Sequence, residues 1–150
     1  MTTLATIRQF LPLSDTLATA GQPTEAEFAA IAQAGYKVVI NLALPTSDHA
    51  LPNEKATVEG LGMAHVSIPV VWDDPTLADL DQFFQAMEAH SDQKILVHCA
   101  LNMRVSAFVY LYRVLKLGLD PATAQRDLFA IWQPNERWQR FIDEAVLHYS

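Results

Sequence analysis

Residues 94–106 read KILVHCALNMRVS, and this stretch places the chain's only cysteine between a strand and a helix. The apolar run 95–97 predicts a buried strand, and the run that begins at Val105 predicts the helix after it. Cys99 is therefore expected at the carboxyl end of a strand, facing a helix N-terminus. Backbone N–H groups and the helix dipole stabilise anions there, so a thiolate is favoured over a thiol. Arg104 adds a permanent positive charge with a planar shape that suits an oxyanion.

A lone cysteine at a strand end is more often a small apolar core residue, because free cysteines are among the most buried residue types. Here the preceding His98, the strand, the polar loop and the following helix all agree with a functional thiol. Ligands of α/β sheets also bind beyond the carboxyl ends of the strands. Side chains alternate along a strand, so His98 is expected on the opposite face from Cys99, as a support for the loop backbone rather than a base.

The stretch resembles the signature of the cysteine-dependent phosphatases of the tyrosine and dual-specificity type, which is His-Cys, five further residues, then Arg followed by Ser or Thr. Four residues separate Cys99 from Arg104, so the loop is one residue short of that pattern. Counted forward from Cys99, Asn102 stands at the family's usual glycine, and Asn tolerates the left-handed backbone conformation better than most residues. Ser106 stands at the Ser or Thr position, from which its hydroxyl is expected to hydrogen-bond the thiolate.

The resemblance implies hydrolysis of phosphate monoesters through a cysteinyl-phosphate intermediate. Cys99 would be the nucleophile, Arg104 and the loop amides would hold the phosphate oxygens, and Ser106 would help the thiolate to leave. The implied phosphate-binding residues are Ala100, Leu101, Asn102, Met103 and Arg104. The implied substrate is a phosphorylated small molecule or a phosphoprotein, and the oligomeric state is left open.

A phosphatase of this type also needs a general acid, because the leaving oxygen must be protonated as the thiolate attacks phosphorus. The family usually supplies an aspartate from an upstream loop, and the stretch 72–75, WDDP, is suitably placed between a predicted strand and a predicted helix. Asp74 precedes a proline and is expected to cap that helix. Asp73 is then the freer acid, and both aspartates are candidates.

Two other functions fit the same loop. The four-residue spacing between Cys99 and a basic residue is also similar to that of rhodanese-like sulfurtransferases, which would use Cys99 as a persulfide carrier without an aspartate acid. A smaller ring of N–H groups suits such a small ligand on grounds of size. A non-catalytic phosphate- or anion-binding pseudophosphatase would keep the loop for recognition alone.

Helices and strands alternate along the chain, which predicts an α/β fold, a three-layer sandwich with a mainly parallel central sheet flanked by helices. The expected strands are 36–42, 63–70 and 95–98, and the expected helices include one capped by Thr24 and Glu27 and others at 53–60 and 104–117. The segments 20–24, 38–42 and 68–70 resemble small bacterial phosphatase-like domains called β-lactamase-hydrolase-like. That resemblance covers most of the chain and implies a protein-tyrosine-phosphatase-like fold.

Composition sets the outer limits. The 150 residues fit one domain, 1–150, and the mix of 51% hydrophobic and 18% charged residues is that of an ordinary globular protein. The net charge of −7 argues against binding to nucleic acids or anionic membranes, because both require basic surfaces. The sequence has neither a membrane-length apolar run nor a leader pattern in residues 1–10, so a cytoplasmic location is expected. A single cysteine agrees with that reducing compartment.

Metal and cofactor sites are not expected. The histidines outside the His-Cys pair show no metal-ligand spacing, and each is interpreted as a surface or hydrogen-bonded side chain: His49, His65, His90 and His148. The sequence also lacks a Gly-x-Ser-x-Gly nucleophile elbow and a glycine-rich nucleotide loop.

Overall fold

The computed structural model describes residues 3–149 and has a five-stranded sheet between two layers of helices. Met1, Thr2 and Ser150 lie outside the described residues. The strands are β1 (Leu11–Pro12), β2 (Leu17–Ala20), β3 (Val38–Asn41), β4 (Ala64–Ser67) and β5 (Ile95–His98). The helices are α1 (Glu25–Gln33), α2 (Glu54–Gly60), α3 (Leu77–Ala89), α4 (Met103–Leu115), α5 (Pro121–Ile131) and α6 (Glu136–Tyr149), after a short 3-10 turn at Leu4–Thr6.

The sheet has the order β1-β2-β5-β3-β4, and all neighbours are parallel except the β1–β2 pair. β5 is therefore central, paired with β2 on one side and β3 on the other. This confirms the predicted α/β sandwich with a mainly parallel sheet. The β1–β2 hairpin was not predicted, because β1 has two residues and β2 reads LATA, which is a weak strand signal.

Alternating side chains divide the core into two halves. Val38 and Ile40 of β3 join the larger core under α3, α4 and α6, whereas Val39 joins a smaller core under α1 and α2. β5 divides in the same way, with Val97 in the larger core and Leu96 in the smaller one. The unbroken apolar runs in these strands follow from this burial on both faces, which is typical of a parallel sheet.

Local capping signals set several helix ends. Thr24 and Glu27 form the predicted capping box of α1: the Thr24 hydroxyl accepts from the Glu27 N–H, and the Glu27 carboxylate accepts from the Thr24 N–H. Asp120 caps α5, with Pro121 as the first helical residue. Gly35 follows α1 with φ of +97°, which a residue with a Cβ adopts only under strain. The predicted capping box of α1 is thus confirmed, and residues that favour helix ends stand at the other two positions.

One predicted cap was wrong. Asp74 was expected to cap the helix after the WDDP segment, but α3 begins at Leu77 and its cap is Thr76, whose hydroxyl accepts from the Asp79 N–H at 3.1 Å. Thr76 is also a favoured cap residue, and it directly precedes the amphipathic run that packs into the core. The chain therefore turns at Trp72 and Asp73, where the Asp74 N–H donates to the Val71 carbonyl at 3.0 Å, and enters the helix at Leu77.

No helix within residues 3–149 is both long enough and apolar enough to cross a membrane.

Candidate active site

Cys99 directly follows β5 and lines a cavity of about 180 Å³. The cavity is lined by Cys99, Ala100, Leu101, Met103 and Arg104, together with Trp72 from the loop between β4 and α3. The structure therefore brings the predicted nucleophile and the predicted arginine to one cavity, at the carboxyl end of the central strand and beside the start of α4. Cys99 itself is 1% exposed, so a ligand must enter the cavity to reach its sulfur.

The turn into α4 depends on Asn102. Asn102 has φ of +68° and ψ of 0°, so the expected left-handed conformation is confirmed. Its buried side chain points away from the cavity, and Nδ2 donates to the Gln9 carbonyl and to the Thr19 hydroxyl, both at 2.9 Å. Asn102 thus shapes the loop and ties it to the β1–β2 hairpin, while its side chain lies outside the set that lines the cavity.

The segment after β2 holds the other side of the loop. The Gln22 N–H donates to the Ala100 carbonyl at 3.0 Å, and the Cys99 N–H donates to the Ala20 carbonyl at 3.3 Å. Gly21 lies between these bonds and approaches the loop so closely that a Cβ there would be 2.6 Å from the Ala100 oxygen. A side chain at position 21 is therefore incompatible with the present path of the loop.

Gly21→Ala is expected to lower the free energy of unfolding by roughly 1–3 kcal/mol, the usual range for overpacking. The added Cβ would meet two backbone oxygens, those of Ala100 and Arg8 at 2.6 and 3.1 Å, and backbone gives way less easily than a flexible side chain. Urea denaturation would measure the change. Gly60→Ala in α2 is the matched control, because its Cβ meets no described atom within 4 Å, and it should be neutral or slightly stabilising. Equal stability of the two variants would contradict the expectation.

Arg104 is 7% exposed and lies in the first turn of α4. Its Nη1 donates to the Val70 carbonyl at 2.9 Å, which fixes the guanidinium group against the chain segment after β4. A guanidinium group carries five N–H donors, so this bond leaves others to face a bound oxyanion.

Trp72 is a wall of the cavity that sequence reasoning missed. Its ring packs against Trp132 and Trp138, with ring centroids 5.3 and 5.7 Å apart, and its carbonyl accepts from the Trp138 indole N–H at 2.9 Å. This cluster anchors the loop between β4 and α3 to α6. The sequence feature that could have pointed to Trp72 is its position directly before the two candidate acids.

The two candidate acids lie on this loop but do not line the cavity. Asp73 and Asp74 are both exposed, and the Asp74 carboxylate accepts from Arg137 Nη2 at 3.3 Å. Arg137 also donates from Nε to the Asp73 carbonyl at 3.3 Å. The carboxylate of Asp73 therefore lies outside this ion pair. Asp73 differs from Asp74 because Arg137 pairs with Asp74, and not because Asp74 caps a helix as expected.

The expected hydrogen bond from Ser106 to the thiolate is not formed in the described structure. The Ser106 hydroxyl donates to the Met103 carbonyl at 2.7 Å and accepts from the Trp132 indole N–H at 3.0 Å. A serine inside a helix commonly turns its hydroxyl back to the carbonyl of the preceding turn. Ser106 lines a separate small cavity with Thr19 instead of the Cys99 cavity.

A buried carboxylate lies below the loop, and sequence reasoning missed it. Glu54, at the start of α2, is 6% exposed and receives contacts from β3, β4, β5 and the segment after β2. Its Oε2 lies 2.8 Å from His98 Nε2, 2.8 Å from His65 Nε2 and 3.0 Å from Asn41 Nδ2, and its Oε1 accepts from Gln22 Nε2 at 2.8 Å. His98 is fully buried, and its Nδ1 is 3.2 Å from the Cys99 carbonyl, so the predicted contact with the loop backbone is confirmed.

Burial by itself would raise the pKa of Glu54, because it disfavours the charged form. The hydrogen bonds from His65 and His98, the charge of His98 and the bond from Gln22 outweigh burial and hold the pKa well below its usual range. The ionised carboxylate therefore stabilises the fold above the pKa of an unfolded glutamate, about 4.3. That contribution is lost as the pH falls from there towards the lower folded-state pKa.

Within residues 3–149, no group of three or more His, Cys, Asp or Glu side chains is arranged to hold a metal ion.

Comparison with known proteins agrees with this geometry. A candidate phosphatase of the DUF442 group from Shewanella putrefaciens CN-32 is 35% identical and superposes with a TM-score of 0.87, covering 98% of this chain and 97% of its own. The β-lactamase hydrolase-like protein of Xylella fastidiosa Temecula1 is 32% identical over 99 residues, which are 64% of this chain and 23% of that protein. The chain thus spans about a quarter of that relative's length. TpbA of P. aeruginosa, solved with phosphotyrosine, has the same fold at 18% identity, with a TM-score of 0.65 and coverage of 94% and 90%.

The resemblance predicted from the His-Cys loop is confirmed by a family match over most of the sequence. The family described as DSP-PTPase phosphatase fused to NAD+ kinase matches residues 12–142, which include every strand except the first residue of β1 and all of the candidate site. The chain therefore belongs to this phosphatase family, of the dual-specificity and protein-tyrosine-phosphatase type.

Proposed function

We propose that the protein hydrolyses phosphate monoesters with Cys99 as the nucleophile. The observation that carries the proposal is the single cavity that Cys99 and Arg104 share at the end of β5, beside the N-terminus of α4. The helix N-terminus favours both a thiolate and a bound oxyanion, and Arg104 supplies a fixed positive charge. Such a catalytic thiolate must stay reduced, which suits the cytoplasm.

In the first step, the Cys99 thiolate attacks phosphorus, forming an S–P bond as the P–O bond of the ester breaks. Arg104 and the backbone amides of residues 100–104 hold the non-bridging oxygens. The leaving oxygen takes a proton from an aspartic acid. Water then attacks the same phosphorus, the S–P bond breaks, and inorganic phosphate and the thiolate are released.

We assign the proton to Asp73. Its loop follows Trp72, which lines the cavity, and the competing carboxylate of Asp74 is paired with Arg137. Neither aspartate lines the cavity in the described structure, so the Asp73 carboxylate would have to turn towards the leaving group of a bound substrate.

Hydrolysis of aryl phosphates between mildly acidic and neutral pH tests this assignment. Aryl esters are suitable because Trp72, Leu101 and Met103 give the cavity an apolar wall. Turnover by the wild-type chain is expected, with kcat lower by roughly 10²-fold in Asp73→Asn, the usual contribution of a general acid. Asp74→Asn is the matched control on the same loop and should stay within a few-fold of wild type. The reverse order would move the role to Asp74, and no turnover by the wild-type chain would contradict hydrolysis altogether.

A sulfurtransferase is the second candidate, favoured by the four-residue loop between Cys99 and Arg104. It would carry sulfur as a Cys99 persulfide and would need no aspartic acid. Attack of the Cys99 thiolate on the outer sulfur of thiosulfate would break the S–S bond of thiosulfate and release sulfite, and mass spectrometry should then show one added sulfur on Cys99. Tight binding of phosphate without turnover or sulfur transfer would instead indicate a pseudophosphatase that recognises anions.

A further inference from the structure

Arg137, the second residue of α6, binds three successive residues of the loop that carries the candidate acids. Its Nε donates to the Asp73 carbonyl at 3.3 Å. Its Nη2 donates to the Asp74 carboxylate at 3.3 Å and to the Pro75 carbonyl at 3.5 Å. The planar guanidinium group points several N–H donors in fixed directions, so one side chain can span three acceptors. Arg137 therefore holds the backbone of this loop from Asp73 to Pro75.

The next residue of α6 holds the start of the same loop. Trp138 is fully buried, and its indole N–H donates to the Trp72 carbonyl at 2.9 Å. The backbone N–H of Trp138 donates to the Asn135 side chain at 2.9 Å, which fixes the first turn of α6. Trp72 also lines the Cys99 cavity, so α6 sets the position of the loop relative to that cavity.

The hydrogen bonds from Arg137 leave the Asp73 carboxylate unused. Arg137 holds Asp73 through its backbone carbonyl, and the side chain of Asp73 keeps its own rotations. The carboxylate can therefore turn towards a leaving group while the backbone stays in place. A catalytic group on a backbone that is already positioned has less conformational freedom to lose when it reaches the transition state.

The contact between α6 and the loop lies near the surface. The side chain of Arg137 is 38% exposed and that of Asp74 is 72% exposed, so the ion pair between them contributes little to the stability of the fold. Removal of the Arg137 side chain is therefore expected to leave the chain folded and to release the loop from 73 to 75.

We propose that Arg137 is a positioning residue, which holds the loop so that the Asp73 carboxylic acid reaches the leaving oxygen of a substrate in the Cys99 cavity. The inference rests on the proposed function, because it assigns Arg137 to the step in which Asp73 gives up its proton. In that step the P–O bond of the ester breaks, the proton passes to the leaving oxygen, and Asp73 becomes a carboxylate. Arg137 acts through Asp73, since it is not among the residues that line the cavity.

The test compares two esters whose leaving groups differ in their need for a proton. The phenolate of tyrosine is strongly basic, with a pKa of about 10 for its conjugate acid, and must be protonated as it leaves. The 4-nitrophenolate ion is far less basic and leaves readily without a proton. Arg137→Ala is expected to lower kcat roughly tenfold for O-phosphotyrosine and to stay within about threefold of wild type for 4-nitrophenyl phosphate. The KM for each ester should change little, because Arg137 lies outside the cavity.

A second measurement asks whether Arg137 acts through Asp73. The acid is absent in Asp73→Asn, so the addition of Arg137→Ala should cause no further loss of kcat for O-phosphotyrosine. A general structural effect would lower kcat by the same factor in both backgrounds. Arg137→Lys should recover only part of the rate for O-phosphotyrosine, because an ammonium group lacks the planar fork that spans the loop. This variant carries the comparison of the two esters if Arg137→Ala does not fold.

Arg140→Ala is the matched control, because Arg140 lies on the same helix, three residues further along, and is exposed. It should leave kcat for both esters unchanged. Equal losses for the two esters in Arg137→Ala, losses no greater than those of Arg140→Ala, or a further loss in the double variant would overturn the inference and leave the proposed function standing. No turnover of either ester by the wild-type chain would instead contradict the proposed function, and the inference with it, because no leaving group would be protonated.

Discussion

Replacing Cys99 with serine is expected to abolish hydrolysis of aryl phosphates, with kcat reduced by at least about 10⁴-fold. A serine hydroxyl does not ionise near neutral pH, so the helix N-terminus and Arg104 have no anion to stabilise as a nucleophile. No other cysteine is present to replace it. Initial rates of the purified variants at several substrate concentrations would measure the loss.

Two controls separate lost chemistry from lost structure. Cys99→Ser places a hydroxyl at a position that is 1% exposed, so a modest loss of stability is expected, and Cys99→Ala avoids that buried polar group. Both variants should still bind inorganic phosphate, which thermal shift measurements would detect. A Cys99→Ala chain that retains turnover would rule out a cysteinyl-phosphate intermediate.

Replacing Arg104 with alanine is expected to lower kcat by roughly 10³-fold and to weaken inhibition by inorganic phosphate. The guanidinium group is held in the cavity by the Val70 carbonyl, so its charge is already in place when the phosphoryl group is transferred. Arg104→Lys should recover only part of the rate, because an ammonium group keeps the charge but lacks the planar fork that binds two oxygens.

Arg113→Ala is the matched control for this variant. Arg113 lies on the same helix and is also largely buried, but it pairs with Asp127 at 2.6 Å and lines a different cavity. Its removal should lower the stability of the α4–α5 contact and leave kcat within a few-fold of wild type. If Arg104→Ala lost no more activity than Arg113→Ala, the assignment of Arg104 to the oxyanion would be wrong.

The parts of the site that the sequence predicted are local in the chain. The strand that ends at His98, the helix that follows and the left-handed Asn102 all lie within the stretch 94–106. The capping box of α1 is equally local, since Thr24 and Glu27 bond within one turn. Such features depend on residues a few positions apart, so residue type and spacing are enough to predict them.

Competing local choices explain two of the misses. Asp74 and Thr76 are both suitable helix caps, and the packing of α3 against the sheet decides in favour of Thr76. Ser106 fits the family's position for a hydroxyl, but the helix offers the Met103 carbonyl one turn away, and Trp132 adds a donor from the end of α5. Sequence gives the residue types at these positions, and only the packed neighbours decide where each side chain points.

The sequence by itself determined the α/β class, the order of Cys99, loop and Arg104, and the helix N-terminus that they face. Tertiary structure alone decided that Trp72 forms a wall of the cavity and that Glu54 contacts polar side chains of β3, β4, β5 and the segment after β2. The physical reason is distance along the chain. Glu54 and His98 meet only because parallel pairing brings the carboxyl ends of β2, β3, β4 and β5 to one edge of the sheet, and no short-range pattern encodes that meeting.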